Sequence, residues 1–253
     1  MKAISANSSH GFSHSRISPL WLAVESAVAT PSKENLSLLQ KIITQQSPAR
    51  PPVNLNRLKT PGSLQYPLGL AASRGSVPVV KQLLEGGARP EGNRRWLSPL
   101  HEAVFGWNEN HRKIVRLLLK RGACAEGKCH QGDETPLMTA ASHSNADMLG
   151  ILLTHGARPN RVNTGGESAI FLVNPAFADG MVCIRLLLEH GANPRIVNHE
   201  GATLLDKMEL LSYGSPDCKQ ASRLVQASIA KWNAEDLRHA SSVVSLKARR
   251  ARL

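Results

Sequence analysis

Two cysteines and a histidine near the middle of the chain have the spacing of one half of a zinc site: Cys124, Cys129 and His130. A structural zinc site takes four ligands, normally supplied as two such pairs. No second pair with comparable spacing follows, so we predict no metal site. Cys183 lies in a leucine-rich run and reads as a core residue. Four cysteines in 253 residues do not resemble the dense framework of a small secreted domain, which indicates reduced thiols and an intracellular protein.

The side-chain types needed for hydrolysis are present, but they do not fall into a known local arrangement. The sequence contains no G-x-S-x-G, no G-x-x-x-x-G-K-[ST] and no H-E-x-x-H. His155 and His190 each precede a glycine at the end of a leucine-rich run, where a histidine can bind the last carbonyls of a helix. We therefore predict no catalytic residue, no cofactor and a protein that is not an enzyme.

Positive charge is concentrated toward both ends of the chain. The formal net charge is +12, of which residues 1–60 carry +5, residues 61–218 carry +1 and residues 219–253 carry +6. A nearly neutral body argues against a basic groove built into the fold. The basic run at 247–253 is typical of a solvated tail, a nuclear-import signal, or a contact to nucleic acid or an acidic membrane. Nucleic acid contact is therefore expected only through the basic ends.

A short pattern recurs along the chain, and each copy has a hydroxyl or aromatic residue, then proline or alanine, then apolar residues. The copies begin at Tyr66, Ser98, Thr135 and Ser168. A leucine-rich run follows each copy and closes on a glycine: Gly87, Gly122, Gly156 and Gly191. Ser98, Thr135 and Ser168 can cap a helix start, and the glycines can supply the left-handed residue that ends the next helix. Each unit is therefore predicted to be two short antiparallel helices.

These segments resemble the ankyrin repeat, whose T-P-L-H-x-A signature and period near 33 residues they match. The resemblance implies an all-α repeat solenoid of stacked helix-turn-helix repeats joined by β-hairpin-like loops. We predict a flexible polar arm over 1–15, an ankyrin repeat domain over 16–239 and a basic C-terminal tail over 240–253. Four clear repeats at 64–200 would lie between degenerate capping repeats. The signature histidine survives only as His101, so stability is expected to depend on leucine packing.

The resemblance implies a non-catalytic module that binds a protein partner, of unknown identity, through the concave face of the stack. The alternative is a nuclear regulatory protein whose basic ends contact nucleic acid or acidic partners. No window approaches eighteen uninterrupted apolar residues, so we predict no membrane span. The expected location is intracellular, in the cytoplasm or the nucleus.

Aligning the repeats gives the candidate partner-binding residues. At successive hairpin tips these are Arg94, Arg95, Trp96, Lys128, His130, Asn163, Thr164, Asn198, His199 and Glu200. Trp107 and Phe177 lie in two lengthened loops within repeats. We expect all of these residues on one side of the stack, because Trp and Arg are enriched at binding hot spots. The alternative for Trp96 and Trp107 is packing back onto neighbouring helices.

Overall fold

A computed structural model describes residues 18–44, 54–56, 66–91, 98–127, 133–211 and 216–250, with side chains as far as Asp236. In these ranges the chain forms twelve helices in six consecutive pairs. They are α1 (Pro19–Ala29), α2 (Lys33–Thr44), α3 (Pro67–Ser73), α4 (Val77–Glu85), α5 (Pro99–Val104), α6 (Glu109–Lys120), α7 (Pro136–Ser142), α8 (Ala146–Thr154), α9 (Ala169–Leu172), α10 (Gly180–Glu189), α11 (Leu204–Leu211) and α12 (Pro216–Arg250).

The helices form two layers. The first helices of the pairs contact one another in chain order from α1 to α11, and the second helices do the same from α2 to α12. Each pair therefore packs on its neighbours, which is the arrangement of a repeat solenoid. The predicted fold class is confirmed, and the predicted arm at 1–15 lies outside the described residues.

Side-chain hydroxyls cap the starts of several first helices. The hydroxyls of Ser18, Ser98 and Thr135 each accept a hydrogen bond from the backbone N–H three residues later, and a proline follows each cap. The predicted cap at Ser168 is wrong, because its buried hydroxyl has no hydrogen-bond partner among the described residues. Ser168 instead pairs with Val162 in an antiparallel bridge.

Glycines end the second helices in the left-handed conformation, as predicted. The φ angles of Gly87, Gly122, Gly156 and Gly191 lie between 81° and 94°. The alanine after each glycine donates its N–H to a leucine carbonyl five residues back, as in Ala123 to Leu118 at 3.0 Å. His155 and His190 place Nδ1 2.8 Å from the carbonyl oxygens of Ile151 and Leu186, so both bind helix ends.

The last two connections between pairs are hairpin-like, which confirms that part of the prediction. Antiparallel bridges join Val162 to Ser168 and Val197 to Thr203. The side-chain oxygen of Asn163 accepts from the N–H groups of Gly165 and Glu167, both at 2.9 Å. Asn198 makes the same two bonds one repeat later.

A ladder of hydrogen bonds links successive connections of the described residues, with no such bond from the second connection to the third. A side-chain oxygen in one connection accepts from a backbone N–H in the next, 32 or 33 residues later: Asn56 from Arg89 at 2.9 Å, Glu126 from Arg158 at 2.7 Å and Asn160 from Asn193 at 2.6 Å. Arg195, at the next equivalent position, donates instead to Asp236 at 2.7 Å and lies 5.4 Å from the Trp232 ring. This contact anchors α12, whose backbone continues through the predicted boundary at 240.

Truncation of a repeat-core leucine should destabilise the whole stack. Leu118 and Leu187 are fully buried in α6 and α10, so we expect Leu118→Ala and Leu187→Ala each to lower the free energy of unfolding by about 2–5 kcal/mol. Leu210→Ala is the matched control because Leu210 is exposed, and its cost should stay below about 0.5 kcal/mol. Urea denaturation followed by circular dichroism measures all three. Equal effects at the three sites would contradict the repeat register.

Candidate protein-binding surfaces

His101 is a structural residue. Its ring is buried, Nε2 donates to the Glu134 carbonyl oxygen at 3.1 Å, and the Ser98 hydroxyl lies 3.0 Å from Nδ1. Burial lowers the pKa of His101 from 6.5 to about 4, so the imidazole is neutral near pH 7. Because both ring nitrogens bind groups within the fold, His101 joins α5 to the start of the next repeat.

Cys183 is a buried cysteine of α10. Cys183 is fully buried, and burial together with Asp179 raises the pKa of its thiol to about 12. It is therefore a core residue, as predicted. Within the described ranges no group of three His, Cys, Asp or Glu side chains could hold a metal ion. Cys129 and His130 lie outside those ranges.

No helix in the described ranges is long and apolar enough to cross a membrane.

The structure divides the predicted partner-binding residues between two ends of the helix pairs. Arg94, Arg95, Trp96, Lys128 and His130 lie outside the described residues. Asn163, Thr164, Asn198, His199 and Glu200 lie in connections between pairs, whereas Trp107 and Phe177 lie in loops within pairs.

The expectation that all of these groups share one side is wrong. A loop within a pair and a connection between pairs lie at opposite ends of the second helix that separates them. The second helices α6 and α10 have 12 and 10 residues, so the two ends are about 15–18 Å apart.

The connector end carries a small set of exposed side chains on a rigid base. The N–H of His199 donates to the Gly165 carbonyl at 2.9 Å, which joins the last two hairpins. The side-chain oxygens of Asn163 and Asn198 accept hydrogen bonds within their own hairpins. Of the predicted binding residues at this end, Thr164, His199 and Glu200 are exposed to solvent.

Sequence reasoning missed two apolar residues at this end. Val162 and Val197 are 42% and 49% exposed and occupy equivalent positions in the two hairpins. The available signal was the recurring Val-Asn pair, at Val162-Asn163 and Val197-Asn198.

A row of residues on the first helices continues from this end. In the second to sixth pairs, the row comprises the residue four positions after the one that precedes the first helix: Leu70, Glu102, Thr139, Leu172 and Lys207. Leu70 and Thr139 are buried, and the other three are half-buried. Burial raises the pKa of Glu102 and lowers the pKa of Lys207. Lys207 also donates to the Phe171 carbonyl oxygen and lies 5.0 Å from the Phe171 ring. We call these five residues the inner row.

The loop end carries the exposed aromatic residues. Phe105, Trp107 and Phe177 are 46%, 63% and 53% exposed. The rings of Phe105 and Trp107 meet the His143 ring edge-on, with centroids 5.7 and 5.6 Å apart. Trp107 therefore packs against a neighbouring repeat at one edge while most of its indole stays exposed. This placement combines the two alternatives for the residue, which were packing onto a neighbouring helix and contact with a partner.

A second buried histidine fixes the lengthened loop that carries Phe105 and Trp107. His111 donates from Nε2 to the Ser73 carbonyl at 3.1 Å, and its Nδ1 lies 2.8 Å from Asn108 Oδ1. A Cβ at Gly106 would lie 2.0 Å from the His111 ring. Glycine is therefore required beside His111, and the loop is held against the preceding repeat.

Other side chains fill the space where the signature histidine is missing. The Tyr66 ring covers Gly69, where an added Cβ would lie 3.1 Å from the ring. In the repeat after His101, the sulfur of Met138 accepts from the Thr135 N–H at 3.4 Å. Glycine or methionine at the position of the signature histidine therefore keeps the first helices packed but changes the hydrogen bonds between them.

Comparison with protein families agrees with this architecture. A family model described as ankyrin repeats, in three copies, matches residues 20–128 and 68–163, which is more than half of the chain. The chain belongs to the ankyrin repeat family. Ankyrin repeats typically act as non-catalytic modules that mediate contacts between proteins.

Several known proteins match shorter segments of the chain. The human transient receptor potential cation channel subfamily A member 1 is 30% identical over 122 residues, which is 48% of this chain and 10% of the channel. The ankyrin repeat protein nuc-2 of Neurospora crassa is 32% identical over 121 residues, 48% of this chain and 11% of that protein. Mouse protein phosphatase 1 regulatory subunit 27 is 37% identical over 86 residues, 33% of this chain and 51% of the subunit. The matched segments therefore span about a tenth of the first two relatives and about half of the third.

The buried His101 should make stability depend on pH. Its folded pKa of about 4 lies below the ordinary 6.5, so its contribution is complete above about pH 6.5 and is lost as the pH falls toward 4. The loss amounts to roughly 3 kcal/mol. We expect the unfolding free energy of the wild type to fall more steeply than that of His101→Gln between pH 7 and 4, by chemical denaturation. Parallel curves would mean that His101 is not held neutral by burial.

Gly106 should be coupled to His111. Gly106→Ala places a Cβ against the His111 ring, and we expect a cost of about 1–3 kcal/mol in urea denaturation. In a His111→Ala background the same change should cost little. Gly150→Ala in α8 is the control, because nothing lies within 4 Å of its Cβ position and alanine favours a helix. The same cost in both backgrounds would show that the ring is not the obstacle.

Proposed function

We propose that this ankyrin chain is a protein-protein interaction module whose partner binds the concave side of the stack, across the connector end and the inner row. The observation that supports this most is the pair of exposed valines, Val162 and Val197, at equivalent positions of neighbouring hairpins. Together with Thr164, His199 and Glu200 they make what we call the connector surface. Apolar side chains in repeat register suit a partner that contacts several repeats at once.

The connector surface is preorganised for binding. Asn163 and Asn198 satisfy the backbone N–H groups inside each hairpin. The bond from His199 to Gly165 fixes one hairpin against the other. Little loop entropy would then be lost when a partner binds, which favours affinity for a given contact area.

The repeat register extends the same surface toward the N-terminus. The preceding connections contain the predicted residues Arg94, Arg95, Trp96, Lys128 and His130. Arginine and tryptophan are the residue types most enriched at hot spots, so Arg95 and Trp96 are the strongest candidates among them. In the inner row, the acid Glu102 and the base Lys207 lie three repeats apart, which would orient a partner along the stack.

A relative supports a protein as the partner. The mouse relative named as a regulatory subunit of protein phosphatase 1 is, by that name, a protein that acts on another protein. The alternative partner, nucleic acid bound by the basic ends, would show a strong salt dependence because counterions are released from phosphates. Binding through valines would show a weak one. We further propose an intracellular location, in the cytoplasm or the nucleus, which suits the free thiols of Cys124, Cys183 and Cys218.

The test is a comparison of captured partners by quantitative mass spectrometry. The intact chain is compared with a Val162→Asp/Val197→Asp double variant, and Leu38→Asp serves as the control. Leu38 has the same exposure as Val197, 49%, but lies in α2 away from the connections. We expect the double variant to lose its protein partners at least tenfold, and the control to retain them. Circular dichroism checks that all three fold.

The Trp96→Ala variant extends the test to an earlier connection. We expect it to weaken capture of the same proteins by about fivefold, corresponding to roughly 1 kcal/mol. Capture that survives the valine changes and disappears at 0.5 M salt would contradict a connector site and favour the basic ends.

A further inference from the structure

The last helix is much longer than the second helices of the preceding repeats. α12 has 35 residues, whereas α4, α6, α8 and α10 have between 9 and 12. Among the side chains of α12 that the structure describes, the buried ones are Cys218, Ala221 and Val225, and Ile229 packs against the core in part. The segment from Cys218 to Ile229 is therefore as long as the other second helices, and it fills their place in the stack.

The rest of α12 continues past the connector end. Arg195, in the connection between α10 and α11, donates to Asp236 at 2.7 Å. Beyond this contact the helix continues over residues 237–250, which corresponds to about 21 Å at 1.5 Å per residue. These residues include no proline or glycine, two residue types at which helices kink. We call residues 237–250 the helix extension.

The helix extension begins at a connection that belongs to the connector surface. Arg195 precedes Val197 by two residues, so their Cα atoms are at most about 7 Å apart. Nη1 of Arg195 donates to both Asn233 at 3.2 Å and Asp236 at 2.7 Å. The start of the extension is therefore fixed to the hairpin that carries Val197, and a partner on that hairpin lies within reach of the extension.

The charge of α12 changes sign balance where the extension begins. Residues 216–236 carry three bases and three acids: Lys219, Arg223, Lys231, Asp217, Glu235 and Asp236. The helix extension contains no acid and four bases: Arg238, Lys247, Arg249 and Arg250. The extension is therefore a positive element on a nearly neutral body, and it attracts a negatively charged segment.

The surroundings of the extension favour an acidic protein segment over a nucleic acid. Residues 237–253 contain no Phe, Tyr or Trp on which a base could stack. The connection at the start of the extension carries the exposed Val197 and the exposed acid Glu200. A phosphate backbone gains nothing from a valine and is repelled by a carboxylate, whereas a protein can place an apolar residue on one and a base beside the other.

We propose that the helix extension binds an acidic segment, rich in Asp and Glu, of the same partner protein that occupies the connector surface. This inference rests on the proposed function. Guanidinium and ammonium groups bind carboxylates through charge-assisted hydrogen bonds. A partner held by the hairpin tips presents its acidic segment to the extension at high effective concentration, so each contact strengthens the other.

Peptide selection tests the chemistry of the partner. A library of random peptides about 20 residues long, enough to reach from a hairpin tip along the extension, is selected on the immobilised full chain. The library is first depleted on a Lys247→Gln/Arg249→Gln/Arg250→Gln variant, which removes peptides that do not need these bases. We expect the retained peptides to combine an Asp/Glu cluster with apolar residues. Retained peptides without an excess of acids, or no peptide that depends on the three bases, would overturn the proposal.

Affinity measurements compare the two parts of α12. By fluorescence anisotropy, we expect the same triple variant to weaken the selected peptide about tenfold. The matched control Lys219→Gln/Arg223→Gln/Lys231→Gln removes three exposed bases from the part of the helix before the extension and should change the affinity less than about twofold. Equal losses in the two variants would show that net charge alone is responsible, which contradicts the proposal.

A proline tests whether the helical form of the extension matters. Ser242→Pro leaves the charge of the extension unchanged but interrupts its helix, and we expect it to weaken the peptide about fivefold. Ser242→Ala is the control and should bind as the wild type does, because alanine favours a helix. Circular dichroism at 222 nm checks the loss of helix. Unchanged affinity in the proline variant would mean that a basic tail of any conformation suffices.

A neutral connector variant separates this inference from the proposed function. Val162→Ser/Val197→Ser does not repel an acidic peptide, and we expect it to weaken the selected peptide as well. Loss in the triple-base variant alone would overturn the shared partner. Proteins captured by the wild type that are lost with the valine changes but kept by the triple-base variant would overturn the inference and leave the proposed function standing. Tighter binding of a DNA duplex or of phosphatidylserine vesicles than of the peptide would overturn the choice of an acidic protein.

Discussion

The stack depends on one leucine position that serves two purposes. Leu83, Leu118, Leu152 and Leu187 lie four residues before the closing glycine of successive repeats, and each is fully buried. The carbonyl of the same leucine accepts the hydrogen bond from the alanine that follows the glycine. Packing between repeats and termination of the second helix therefore meet at a single residue. Because the buried side chain fixes where the helix lies and its carbonyl fixes where the helix ends, every connection starts from the same place.

With that position constant, other positions vary without loss of the fold. The place of the signature histidine holds Gly69, His101, Met138 or Phe171, and neighbouring side chains fill the difference: the Tyr66 ring over glycine, and the Met138 sulfur as an acceptor. Loop length also varies, and in the α5–α6 loop the extra residues are secured by His111. The variation concentrates at the two ends of the helix pairs, where a solenoid presents side chains to partners.

Local rules predicted the fold well from the sequence. The capping hydroxyls of Ser98 and Thr135 and the left-handed glycines act within one turn of chain, so their spacing alone indicated where helices begin and end. The cap at Ser168 was predicted wrongly, and its bridge to Val162 is not the reason, because Thr203 makes the same bridge to Val197 and still accepts from the Asp206 N–H at 3.2 Å. The opposite placement of Trp107 and Phe177 already followed from the predicted antiparallel pairs, because the loop within a pair and the connection between pairs lie at opposite ends of the second helix. Only the recurring Val-Asn pair marked the valines at 162 and 197, because a single valine carries no sign of its exposure.

The ladder between connections gives the stack a direction of growth. Asn56, Glu126 and Asn160 each offer an acceptor to the following repeat, so a copy of the repeat that carries Arg158 and Asn160 would inherit both a donor and an acceptor. Arg195, at the equivalent position between the fifth and sixth pairs, carries donors alone and donates to Asn233 and Asp236 of α12. A repeat inserted directly after the fifth pair would therefore find no acceptor at this position. Duplication can extend the stack where the asparagine or glutamate acceptor is present, whereas insertion at this last connection requires the replacement of Arg195.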